Sequence, residues 1–332
     1  MIISRRHKVL LFLSLVFLPI VAILHFHSGP AELSLGDFLN GIFNYDPDIT
    51  EHNIVRELRI PRMMMAILAG AGLSIAGLLM QTLFKNPMAG PYVLGINSGA
   101  SLFVAFSIMT GIPFFMSDIG IISNALIGAL LFGLIISIFS SIVRSQISLL
   151  LIGIMLGSFT GALVSMLQAV SDAQELKSFT LWALGSLSRV EYDQLLTISV
   201  VFLIGLFGAL LLIKPLNLLV LGQDQAKLMG MNFRMIRLLI ITITAILTGL
   251  ITAFCGPIAF VGLAVPNLVR MLMKTQHHGI LIIASALFGA LFVLICDICI
   301  QLLENQVNIP INVFTSVVGA PIVVLLILRK LK

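Results

Sequence analysis

"RMMMAILAGAGLSIAGLLMQTLF", residues 62–84, is charged at its first position and nowhere after it. A helix crossing the hydrocarbon core of a bilayer needs roughly 20 mainly apolar residues, and this run supplies them. Gly70, Gly72, Ser74, Ala76 and Gly77 lie within it, and such small residues let neighbouring backbones approach closely. The segment therefore reads as a transmembrane helix that packs tightly against others.

The rest of the chain has the same character. Of 332 residues, 59% are hydrophobic and only 10% charged, and the mean hydropathy is +1.14, which excludes a soluble fold. Apolar runs occur at about 9–26, 62–84, 94–112, 119–142, 148–170, 194–213, 235–255, 257–273, 280–303 and 311–328. They are too long for barrel strands. The expected fold is an all-α polytopic bundle of about ten spans, forming one membrane domain over residues 1–332. The first run continues into "LHFHSGP" without a small-x-small cleavage site, so it is read as a span rather than a removed signal.

Charge sets the orientation. With the N-terminus inside, only Arg56, Arg59, Arg62, Lys177 and Arg189 of the 19 Lys and Arg fall outside, as the positive-inside rule requires. The C-terminus is then inside too. Of the 14 acids, Asp224 alone is cytoplasmic and Asp297 lies within a span. A net charge of +5 reflects this bias and implies no nucleic-acid partner. Outside, "ELSLGDFLNGIF" reads as a short surface helix near 35–43, opened by an S-x-x-D capping box at Ser34 and Asp37.

The polar chemistry is sparse. Cys255, Cys296 and Cys299 all fall in spans and read as packing residues; no disulfide, resident metal or cofactor is expected. His277 and His278 sit at a loop and read as solvated. Asp297 reads as a hydrogen-bonded acid tying spans together, with a proton or substrate site as the alternative. No G-x-x-x-x-G-K-[ST] occurs, so the chain cannot cradle ATP phosphates itself, and no nucleophile–base pair marks an enzyme. In the run 148–170, Ser158, Thr160, Ser165 and Gln168 form a thin polar set that could line a wet pathway. Arg56, Arg59 and Arg62 stand at the positive end of the second span, where the helix dipole disfavours cations. Either a compensating partner or anionic headgroups must answer them.

Four stretches carry a family resemblance. "RIPRMMMAILAGAGLSIAGLLMQTLFKNPMAGPYVLGINSGA", "LGQDQAKLMGMN", "GPIAFVGLAVPNLVR" and "IPINVFTSVVGAPIVVLLIL" resemble, in order, the characteristic blocks of the FecCD-type permeases of ABC importers for iron–siderophores, haem and vitamin B12. The resemblance implies a vitamin B12 importer permease-like bundle that pairs with a second permease chain, identical or paralogous. It also implies two ATP-binding cassette ATPase subunits on the cytoplasmic side and an extracytoplasmic substrate-binding protein. A ferric siderophore or related chelate is the expected cargo, with vitamin B12 as the alternative; a gradient-driven transporter using Asp297 is a more distant one.

The same resemblance assigns residues to tasks. Arg59 and Arg62, with Arg56 beside them, would dock acids of the binding protein. Asn86 and Met88 of "NPMAGP", with Gln146 and Ile147, would form the cytoplasmic gate. A cytoplasmic segment at about 214–234 would couple to the ATPase through Gly222, Gln223, Asp224, Ala226, Lys227, Leu228 and Gly230. Two positions depart from the family pattern: Asn267 replaces its histidine, and Gln301 replaces a docking arginine found in the vitamin B12 importer.

Overall fold

The second expected span lies at the centre of the bundle. In the computed structural model, which describes residues 4–29, 31, 33–110, 118–143, 145–304, 307 and 309–331, this span is the inner part of a continuous helical run, Thr50–Leu83. Its most apolar 18-residue window is 83% buried inside the protein, against 17% for Ile147–Val170. The small residues explain the position. A Cβ on Gly70 would lie 2.1 Å from the carbonyl oxygen of Gly289, and one on Gly77 would lie 1.8 Å from that of Gly262. At both points two backbones touch where no larger residue fits. Such contact gains dispersion energy, which in lipid replaces the hydrophobic drive for helix association.

In chain order the helices are α1 (Arg5–His27), α2 (Leu35–Phe43), α3 (Thr50–Asn53), α4 (Ile60–Leu83), α5 (Ile96–Met109), α6 (Asp118–Ile142), α7 (Gln146–Val170), α8 (Ala173–Ala183), α9 (Leu195–Leu211), α10 (Ile213–Leu221), α11 (Gln223–Leu228), α12 (Phe233–Cys255), α13 (Val261–Met273), α14 (His278–Leu303) and α15 (Ile311–Leu331). There is no strand among the described residues. Among the described residues seven helices are long and apolar enough to cross a membrane, and three shorter apolar ones, Ile96–Met109, Val261–Met273 and Ile311–Leu325, stand where the other spans are expected. At 1.5 Å per residue, α13 spans only about 20 Å of a hydrocarbon core roughly 30 Å thick. Irregular backbone precedes this helix.

That irregular stretch is residues 256–260, where Gly256 (φ +73°) and Phe260 (φ +65°) break the helical path. Unpaired backbone groups at this depth are costly unless the protein satisfies them. Here the Ala259 amide donates to Asn312 Oδ1 at 3.0 Å, and the Ser186 amide donates to the Cys255 carbonyl at 2.8 Å. A second irregularity precedes α4. Residues Ile54–Arg59 form a π-helical turn just ahead of Pro61, which lacks an N–H and crowds the carbonyl four residues back. The wider turn accommodates the proline.

The outer surface helix forms as its capping box requires. The Asp37 amide donates to Ser34 Oγ at 3.1 Å and the Ser34 amide to Asp37 Oδ2 at 2.8 Å. The Ser34 hydroxyl and amide hold the Asp37 carboxyl below its ordinary value of 3.8. Leu35, Leu39, Ile42 and Phe43 are exposed on α2, giving it the apolar face of a helix lying at an interface.

Candidate functional site

Polar side chains gather at the two ends of the bundle. At the outer end, Asp297 near the end of α14 is 2% exposed. Arg62 grips it bidentately, Nε to Oδ2 at 2.8 Å and Nη2 to Oδ1 at 3.1 Å. His25 Nε2 from α1 donates to Oδ2 at 2.7 Å, and Gln301 Nε2 donates to the same oxygen at 2.9 Å. Planar two-point pairing and saturation of the carboxylate are what a buried charge needs. The acid therefore ties α1, α4 and α14 together.

The outer arginines occupy three different environments. Arg59 is buried, donating to Gln301 Oε1 and to the Ala31 carbonyl, each at 3.1 Å. Arg62 spends its remaining nitrogen on Glu304 at 3.3 Å and borders a cavity of about 470 Å³ shared with Ser186, Ser188, Arg189, Asp297 and Glu304. Arg56 lies between two rings, 4.2 Å from the centroid of Tyr45 and 4.5 Å from that of Tyr192. Gln301 is itself buried and belongs to the internal network. The sequence reading found the arginines but not their internal partners. Sequence shows an acid near the outer end of a span but not which cation meets it.

At the inner end, α4 stops at Leu83 and the chain turns through Lys85 at φ +48°. Asn86 Oδ1 accepts the Met88 amide at 2.9 Å, and the Pro87 carbonyl accepts from Asn267 Nδ2 at 2.8 Å. Asn267 thus pins this loop from α13, a task that needs a side-chain donor and no titrating ring. Met88 is exposed and Asn86 half-buried. Ile147 is 80% exposed at the start of α7; the side chain of Gln146 lies outside the described residues.

Gly222 and Gly230, at φ +129° and +84°, bracket α11. The Met231 amide bonds the Ala226 carbonyl at 3.0 Å and the Gly230 amide bonds that of Lys227 at 2.9 Å, the Schellman arrangement in which a glycine takes the left-handed position. Gln223 and Asp224 open the helix, and Asp224 pairs with Lys227 across one turn at 3.7 Å. Ala226 is fully buried, whereas Leu228 and Met229 are 89% and 62% exposed. The apolar tip points away from the bundle.

Two expectations change. His278 is not solvated: it is 1% exposed and bonded to Thr82 and Asn217, because α14 begins inside the bundle rather than above it. Among the proposed pathway residues, Ser158 and Ser165 are exposed and Gln168 half-buried. Thr160, by contrast, is buried and turned onto the α7 backbone at Leu156 and Gly157.

Residues 15–329 match the FecCD transport family. The chain belongs to that family. It is 35% identical over 321 residues to the hemin transport system permease protein HmuU of Yersinia pestis, covering 95% of this chain and 94% of that one. It is 33% identical over 294 residues to the Fe(3+)-citrate import system permease protein YfmD of Bacillus subtilis, covering 88% and 86%. Its fold matches a solved metal-chelate type ABC transporter in an inward-facing conformation, with a TM-score of 0.85, 31% identity, and coverage of 96% of this chain and 98% of that one. This FecCD protein is thus a multi-pass permease subunit of an ABC importer in the cytoplasmic membrane, and the family is not one of enzymes.

Proposed function

We propose that this permease passes a ferric siderophore or related iron chelate, haem included, from an outside binding protein into the cytoplasm, driven by two separate ATPase subunits. The observation that carries the reading is α11. A helix of this length is unstable alone in water, yet its own caps and the buried Ala226 hold it while Leu228 and Met229 project. An apolar tip on a polar segment is explained by a groove on a partner, and the ATPase is the partner an importer needs there. The relatives named for hemin and Fe(3+)-citrate support an iron chelate as cargo.

On the same reading Asn86, Met88, Gln146 and Ile147 narrow the inner mouth. The sparsely buried α7, with Ser158, Ser165 and Gln168, faces the pathway and a second permease chain. Arg62, at the lip of the outer cavity, receives an acid of the binding protein that displaces Glu304. Arg59 and Arg56 hold that surface in place behind it.

The test is reconstitution of the permease with its ATPase and binding protein in liposomes, offered radio-iron haemin, ferric citrate, a ferric hydroxamate and labelled cyanocobalamin. ATP-dependent uptake of an iron chelate is expected. Uptake of cyanocobalamin alone would replace the cargo, and uptake indifferent to ATP would overturn the reading.

A further inference from the structure

A chain of buried and half-buried polar side chains joins the segment that carries α11 to the inner end of α4. Asn217 of α10 presents Oδ1 to the backbone amide of His278 at 2.8 Å. An amide can only donate, so that atom is the acceptor. The same oxygen lies 3.1 Å from His278 Nδ1, which must then carry the ring proton. His278 Nε2 is left as acceptor 2.9 Å from the Thr82 hydroxyl, whose single proton it shares with the Leu78 carbonyl at 2.8 Å. The lone pairs of Thr82 Oγ1 accept from Arg270 Nη2 at 3.3 Å. Arg270 Nη1 donates to Gln81 Oε1, and Gln81 Nε2 donates to the carbonyls of Gly262 and Leu263, both at 3.3 Å. Each link has a donor of its own except that between Thr82 and His278, where one hydroxyl proton faces two acceptors.

Gln81, Thr82 and His278 are buried, so breaking a link strands a polar group away from water, at the cost of its desolvation. Apolar side chains can slide past one another at lower cost. A chain of this kind resists shear and passes displacement on. Its ends are informative: Asn217 lies five residues before Gly222, and Gln81 and Thr82 are the last polar residues of α4 before the 84–91 loop. Asn267, one turn from Leu263 on α13, holds the same loop at Pro87. Lys85 of the loop brings its Nζ to 3.9 Å from where a Cβ on Gly222 would stand.

We infer that Asn217, His278, Thr82, Arg270 and Gln81 form a positioning strut that delivers movement of the ATPase-facing segment to the inner gate loop. The inference rests on the proposed function, since it needs the 84–91 loop to be a gate and α11 to meet the ATPase.

The experiment uses the permease assembled with its ATPase, with Met88→Cys supplying the sole cysteine and the rate of its modification by a soluble maleimide followed with and without ATP and vanadate. The parent should show a nucleotide-dependent rate. Thr82→Val keeps the side-chain shape but removes the hydroxyl; the nucleotide-induced change should fall by about fivefold or more, the low end of ordinary coupling energies, with ATPase assembly retained. Thr82→Ser should restore it. Asn217→Leu should reproduce the loss from the other end, and Asn217→Asp, which keeps the acceptor, should not. If Thr82→Val proves too unstable to assemble, the Asn217 pair decides alone. An unchanged response in Thr82→Val and Asn217→Leu, or a loss that Thr82→Ser fails to repair, overturns the strut. A Met88→Cys parent whose thiol ignores nucleotide overturns the gate and coupling reading itself.

Discussion

Asp297 shows how much rests on a single carboxylate. It accepts from Arg62, His25 and Gln301 in a nearly water-free setting, so Asp297→Asn would leave Glu304 as the one carboxylate facing the guanidinium among the described residues. Removing one partner of a buried pair typically destabilises by roughly 3–5 kcal/mol; Arg62, 16% exposed, points to the lower end. Thermal unfolding in detergent should show the loss, and Asp297→Asn with Arg62→Met should recover part of it, because the stranded charge is gone. A single variant melting with the parent would show that the acid holds nothing together. Arg59 carries the same lesson for docking. Its buried guanidinium bonds Gln301 and the Ala31 carbonyl, so charge reversal there disturbs folding as well as any contact with a partner.

The short helix α11 separates two substitutions that look alike in sequence. Ala226 is fully buried and Leu228 almost fully exposed. Ala226→Arg inserts a long cation into packed space and should lower stability by several kcal/mol. Leu228→Asp should leave the fold unaffected within about 0.5 kcal/mol, as exposed substitutions do. In membranes at matched expression, Leu228→Asp is expected to lose ATPase association or to hydrolyse ATP without uptake. Full transport by Leu228→Asp would remove α11 from the interface with the ATPase. The helix itself was legible from its two glycines and polar composition; which side chain faces outward was not, since one turn and a half carries no readable period.

Orientation and assembly belong to the bundle as a whole. The bias of Lys and Arg predicts that single cysteines at Asp48 and Lys177, in a background lacking Cys255, Cys296 and Cys299, react with an impermeant reagent from outside. One at Lys227 should react only after permeabilisation. Labelling of Lys227→Cys in intact cells would invert the topology. The poor burial of α7 within one chain, including a Gly161 with nothing near the site of a Cβ, is the feature that the proposed second permease chain or pathway would cover.

Much of this was written in local patterns. The all-helical membrane fold, the glycine-lined central span, the Ser34–Asp37 cap and the glycine-bracketed α11 follow from apolar length, small-residue placement and backbone conformation, each a property of a few neighbouring residues. Tertiary structure alone decided that Arg62 and His25 meet Asp297, that Asn267 takes the loop carbonyl of Pro87, and that His278 is buried against Thr82 and Asn217. Those contacts join residues 61 to 272 positions apart. Nothing in hydropathy or spacing encodes such a pairing, because it arises from which helix faces turn toward one another. Helix packing sets that geometry, and the polar groups it buries then had to find partners there.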